Sequence, residues 1–238
     1  MIITRAKRAF AVLRFGLLVL RYAGLWVALQ KLGHQIYGKT IFLSLVKQLD
    51  EEDSSLPFSE ECVAAPASPQ EVEEFFENIR GESREGRYQL LVRKWYHERG
   101  LGRCYITRTS DTNEMCNVRW LVTAKDMIKA GFVGRLPNLR EDEVNLENVY
   151  TLERFRSRGI QTASALQVQK SVTEQGFSRI VGQVAEDNIP SLKSNKRRGN
   201  QVFERVLERH LLFDVNRKVL ERYDPPIPIP IPQENQQV

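Results

Sequence analysis

Apolar positions fall into blocks of different period along the chain. Residues 4–37 contain no proline and are dominated by Leu, Val and Ala, a composition that favours helix. Lys7, Arg14 and Arg21 recur at every seventh position, so they form one narrow cationic stripe on an otherwise apolar helix. The stretch "TIFLSLVKQLD" (40–50) is strand-like and opens the folded domain, "EEDSSLPFSEE" is a polar loop, and "CVAAPA" is a short strand. Ser68, Pro69 and Glu71 have the spacing of a capping box with proline at the first helical position, which predicts a helix over "PQEVEEFFENI" ending before Gly81. A second helix runs from about Tyr88 to Arg99 and closes at Gly100.

Further on, "GRCYITRT" and "MCNVRWLVTA" read as strands joined by the turn-rich "SDTNE", a hairpin. "ENVYTLERF" is another strand, Gly159 to about Glu174 a helix stopped by Gly176, and "FSRIVGQV" a further strand. "PSLKSNKRRG" is a short helix capped by Gly199, and "QVFERVLERHLLF" and "VNRKVLERY" alternate as two closing strands. The end, "DPPIPIPIPQENQQV", reads as a polyproline-type tail with no means of packing a core. The organisation expected is a basic amphipathic helical arm (1–38), a mixed α/β domain (39–223) and a Pro-rich disordered tail (224–238).

Charge changes this picture at one end. The net charge is +5, yet no acidic residue precedes Asp50 while eight Lys and Arg do, so the rest holds 27 basic against 30 acidic residues. The basic balance belongs to the arm, and no DNA partner is expected of the domain. The arm is long enough to raise a membrane span, but Arg21 lies near its centre, where an Arg costs about 2.5–3.5 kcal/mol on insertion scales. Two main readings stay open: the helix lies in an anionic membrane interface with its arginines at the headgroups, or it packs its apolar face on a partner or on the domain. Cys62, Cys104 and Cys116 form no CxxC pair, and His34, His97 and His210 lie far apart. That pattern favours reduced thiols in the cytoplasm, membrane association staying open, and no metal site is expected.

Candidate chemistry concentrates in "LERFRSRGIQTA" (152–163), where Arg154, Arg156 and Arg158 crowd Gly159 between a strand and a helix. The first N–H groups of a helix have no internal partner and carry partial positive charge, so they favour phosphate. Gly159 permits a close backbone approach, and Arg156 and Arg158 add charge-assisted donors. The turn reads as an anion cradle suited to a pyrophosphate, against the alternative of a solvated Arg-rich turn. No dinucleotide fingerprint or P-loop is present.

This segment resembles the central motif of the GNAT-type N-acetyltransferase superfamily, with Arg156, Gly159 and Gln161 at its first, fourth and sixth places, although Gln161 stands where a small residue is usual. "GFSRIVGQVAEDNIPSLKSNKRRGN" is similar to the following strand-and-helix motif, through Asn188, Ser191 and Gly199, with Asn200 where Phe is usual. The resemblance covers about residues 60–220. It implies a mixed sheet with two central parallel strands splayed apart and acetyl-CoA, or another acyl-CoA, in the gap. Its pantetheine would pair with the backbone of Tyr150, Thr151 and Leu152. The pyrophosphate would meet Arg156, Ser157, Arg158, Gly159, Ile160, Gln161 and Thr162, while Asn188, Ser191 and Asn195 would line the opposite wall.

The activity implied is direct acyl transfer to an amine, on a small molecule or a glycan. Many relatives use a Tyr as general acid at the position of Asn195, which cannot serve; Tyr150 and Tyr223 are the alternatives. Glu147 is the candidate base, sharing strand parity with Val149 and Thr151 unless a bulge intervenes. Two other readings remain: a CoA-binding module without turnover, and a protein acting through its arm on anionic lipid or RNA.

Overall fold

The computed structural model describes residues 14–49, 61–130, 139–211 and 214–231. Its centre is an eight-stranded sheet in the order β2-β3-β4-β5-β6-β1-β7-β8. The strands are β1 (Tyr37–Gln48), β2 (Cys62–Pro66), β3 (Arg103–Thr109), β4 (Met115–Thr123), β5 (Glu143–Thr151), β6 (Arg179–Ala185), β7 (Gln201–Leu211) and β8 (Asp214–Pro228). The helices are α1 (14–23), α2 (Leu25–Ile36), α3 (Pro69–Glu77), α4 (Arg84–His97), α5 (Ala124–Ala130), α6 (Ile160–Glu174) and α7 (Ile189–Arg197).

Local signals hold where they were strong. Ser68 and Glu71 form the reciprocal capping box that starts α3. Gly100, Gly176 and Gly199 all adopt positive φ, at 73°, 83° and 76°, and each follows a helix closely, as left-handed C-terminal glycines do. The second helix starts four residues earlier than predicted, because the Ser83 side chain accepts a bond from Gly86 N at 3.1 Å and caps it. Ser83 is itself held by Glu153, whose carboxylate accepts from Ser83 N at 2.8 Å and Oγ at 2.6 Å.

Alternation along β4 divides the layers. Val118, Trp120 and Val122 join Phe75, Phe76 and Leu90 of α3 and α4 in one core. Leu121 faces the other way with Val168 and Val172 of α6, and α7 lies on that same side, its Leu192 against Leu43 and Leu45 of β1.

Two expectations change. In its described part, residues 14–36, the arm is two helices rather than one, broken at Gly24 (φ 92°), and one side of it packs on the domain, as one of the two open readings had it: Val19, Ala23 and Val27 are buried with Leu91 of α4. The strand that follows, β1, inserts between β6 and β7, antiparallel to both. Second, residues 224–231 are not a solvated tail. β8 runs on to pair Ile227 with Val202, and Ile229 is 1% exposed in the core beneath α7. Proline at every second position suits an edge strand, since residues of one parity direct their N–H groups to the same side. The isoleucines of the other parity supply the packed face. Residues 232–238 of the expected tail lie outside the described residues.

Candidate functional site

The two parallel strands β5 and β6 share only the pairs Glu143–Arg179 and Val144–Ile180. Beyond these they part, and each continues on its outer partner: β5 on β4 through Thr151, β6 on β1 through Ala185. The wedge between them is a cleft of about 1080 Å³ that crosses the sheet. On the α4 side it is lined by Gln89, Val92, Arg93 and Tyr96, and on the other by residues of α6 and α7.

Nearly all the predicted site residues meet here. Tyr150, Thr151, Arg156, Ser157, Gly159, Ile160, Gln161, Thr162, Asn188, Ser191, Asn195 and Glu147 line this one cleft. Leu152 is fully buried in the adjoining core and Arg158 is exposed, so neither side chain is part of the lining. Tyr223 is absent from the cleft and packs at the β8 end of the core, which removes it as a candidate acid.

The turn before α6 is built from two left-handed residues, Ser157 (φ 63°) and Gly159 (φ 75°). No side chain caps α6, so its first-turn N–H groups and their partial positive charge face the cleft mouth. The arginines of the turn are more engaged with protein than a cradle requires. Arg154 lies over the Phe155 ring at 4.8 Å and reaches Asn78. Arg156 folds back to donate to the Thr151 carbonyl at 3.3 Å and pairs with Glu153 at 3.5 Å.

Two further cations of the cleft have no carboxylate partner among the described residues: Arg119, which no motif singled out, and Arg198, which the sequence places with Lys193, Lys196 and Arg197 on a helix that either extends the cationic field toward a phosphate or is a solvated face. Arg119 lies at the centre of β4, 1% exposed, and donates from Nε to Ser164 Oγ (3.0 Å) and from Nη2 to the Gln161 carbonyl (2.8 Å). Arg198, just after α7, is buried too and donates to Asn195 Oδ1 at 2.7 Å, while its Nε has no partner among the described residues. Neither guanidinium has a carboxylate among the causes that shift it. Burial pulls Arg119 down to about 9, with Arg198 beside it adding repulsion, and burial pulls Arg198 to about 10. Two buried like charges without a counter-charge would both gain from an anion beside them. The available signal was Arg119 itself, the one charge in a strand of mostly apolar residues.

Asn195, at the position where a Tyr was sought, donates to the Ser191 carbonyl at 2.9 Å and orients Arg198. Asn188 caps α7, its Oδ1 accepting from Ser191 N at 3.2 Å. Tyr150 is spoken for as well: its hydroxyl donates to the buried carboxylate of Glu82, and burial, then that bond, push its phenol well above the ordinary range.

β5 carries a bulge. Trp120 pairs with Glu147 but Val118 with Tyr150, and Asn148 takes a left-handed conformation (φ 58°). The parity expected for Glu147 is therefore corrected: it shares its face with Tyr150, toward α4, rather than with Val149 and Thr151. Arg93 of α4 braces the bulge by donating to the Val149 carbonyl at 3.0 Å. Burial pushes the Glu147 carboxyl above its usual value. Among the described residues no cluster of His, Cys, Asp or Glu could hold a metal.

No family model matches the chain, and no curated protein does. Solved structures do. A GCN5-related glucosamine N-acetyltransferase region of a fungal multi-domain GH3 β-N-acetylglucosaminidase aligns with a TM-score of 0.51 at 14% identity, over 80% of this chain and 22% of that one. A GCN5-related N-acetyltransferase from Sphaerobacter thermophilus aligns at 0.48 and 15% identity, over 85% of this chain and 58% of that one. Each of those proteins is thus matched over less than two thirds of its length. The mixed sheet with its splayed strands is the fold of the GCN5-related N-acetyltransferases.

Proposed function

We propose that this protein is an acyl-CoA-dependent N-acyltransferase that moves an acetyl or other acyl group to a small polar amine, such as an amino sugar. The observation that carries the reading is the parting of β5 from β6 after two residue pairs, which opens a polar cleft beside an uncapped helix start and two buried, uncompensated arginines. Arg119, Arg198 and the N–H groups of residues 157–161 would hold the phosphates, and the unpaired edge of β5 would hold the pantetheine arm. Acyl-CoA supplies the activated thioester; the chain supplies position and proton handling. Glu147 faces the α4 mouth, where an amine would enter, and its raised affinity for protons suits a general base. Backbone N–H groups at the bulge can polarise an acyl carbonyl. The three cysteines are buried and free, which supports a reducing, cytoplasmic setting.

A second reading has its own support. Asn195 cannot donate as an acid, and Tyr150 is engaged by Glu82, so a CoA-binding module without turnover fits the same cleft. Radiolabelled acetyl-CoA offered with a library of amino sugars and polyamines separates the two. Transfer to any amine supports the enzyme. Saturable CoA binding with no transfer supports the module.

A further inference from the structure

The arm is apolar on two opposite sides. One side is buried against α4, where Lys31 pairs with Glu85 at 3.0 Å and Arg87 donates to the Tyr22 carbonyl at 3.2 Å. On the other side Leu17, Leu20, Leu25, Trp26, Leu29 and Leu32 are between 43 and 76% exposed, Trp26 the most. Six large apolar side chains exposed along so short a stretch point to an interaction surface. Arg14 and Arg21 are exposed on the same stretch and fall on the face of Leu17 by their i, i+3, i+7 spacing. No carboxylate occurs in the first 49 residues, whereas the rest of the chain is slightly acidic.

We propose that α1 and α2 dock the protein on an anionic lipid surface, with Trp26 and the leucines in the headgroup boundary and Arg14 and Arg21 on lipid phosphates. Charge selects this occupant. A second copy packed face to face would bring Arg14 and Arg21 of both together with no acid to offset them. RNA would satisfy the arginines and leave six large apolar side chains in water. An anionic bilayer meets both needs. Among the described residues no helix is long and apolar enough to cross a membrane, and with one side of α1 and α2 packed on the domain the contact proposed is interfacial. The α4-facing side stays packed throughout, and docking needs no unfolding. This inference stands whatever the cleft binds.

The test uses the full chain with phosphatidylcholine vesicles, with and without phosphatidylglycerol. Sedimentation with the anionic vesicles alone, weakened by salt, is expected. Tryptophan emission should shift to the blue and be quenched by brominated lipid, and Trp26→Phe should remove most of the quenching, since Trp120 is buried and Trp95 is half-buried between Phe15 and Arg99. Leu29→Glu, at an exposed position, should weaken binding at least tenfold with an unchanged melting temperature. Absence of binding to anionic vesicles would overturn the proposal, as would equal binding to neutral ones. A concentration-dependent dimer that Leu29→Glu dissolves, or RNA binding in place of vesicle binding that the same variant weakens, would each assign the face to another occupant.

Discussion

Glu147 stands opposite Trp120 on the neighbouring strand, but the next matched pair is Tyr150 with Val118, so β5 holds one residue more than β4. That residue turns Glu147 and Tyr150 onto one face and leaves the Val149 carbonyl to Arg93. Glu147→Gln should lower kcat by about 10²-fold or more, the usual size of a general-base contribution, with CoA affinity unchanged. A carboxylate base works only when ionised, and burial raises its pKa. The acid limb of the kcat/KM profile should therefore lie above the ordinary glutamate value of about 4.3 and vanish in the variant. An unchanged profile would remove Glu147 from the chemistry.

Arg198 and Arg119 repel each other in the free protein and gain from an anion. Arg198→Met removes one desolvated charge, at the loss of the bond to Asn195. The ligand-free variant should melt no lower than the wild type, while its Kd for CoA rises about tenfold, the scale of a lost charge-assisted bond. The thermal shift on adding CoA should shrink accordingly. A large drop in melting temperature with CoA binding intact would make Arg198 structural.

Gly159 separates backbone conformation from space. Its φ is 75°, and a Cβ there would meet no atom within 4 Å. Gly159→Ala should cost about 1–2 kcal/mol from the left-handed conformation alone, readable in urea denaturation, and should weaken CoA binding only modestly. Gly159→Trp should carry a similar conformational penalty and abolish CoA binding, because its side chain would fill the cleft mouth. Equal CoA affinity in both variants would place the diphosphate elsewhere.

Ile229 gives the test of the C-terminal segment. It is buried with Leu43, Leu45, Leu192 and Val202, so Ile229→Ala should lower stability by about 2–4 kcal/mol, as for other large-to-small core changes. A loss below about 0.5 kcal/mol, the range of surface substitutions, would mean the segment is not packed.

What the sequence made legible was local. The capping box at Ser68, the glycine stops and the strand–turn–helix around Gly159 depend on residues a few positions apart, and the structure reproduces them. What it hid depends on partners far along the chain. The pairing of Phe42 with Ala185 and Val206 leaves no mark in the period of β1. The bulge at Asn148 is visible only against β4. The alternating prolines looked like polyproline because proline outweighed the period-two isoleucines, whose burial beneath α7 depends on Leu192. Arg119 was passed over because a single arginine in a mostly apolar strand belongs to no motif, and only burial beside Arg198 makes its charge informative.

The central claim is that the wedge between β5 and β6 holds acyl-CoA, and isothermal titration of the full chain with acetyl-CoA tests it most directly. The account predicts saturable one-to-one binding that weakens in Arg198→Met and disappears in Gly159→Trp. No saturable heat at millimolar acetyl-CoA, or binding that both variants retain at full strength, would contradict it.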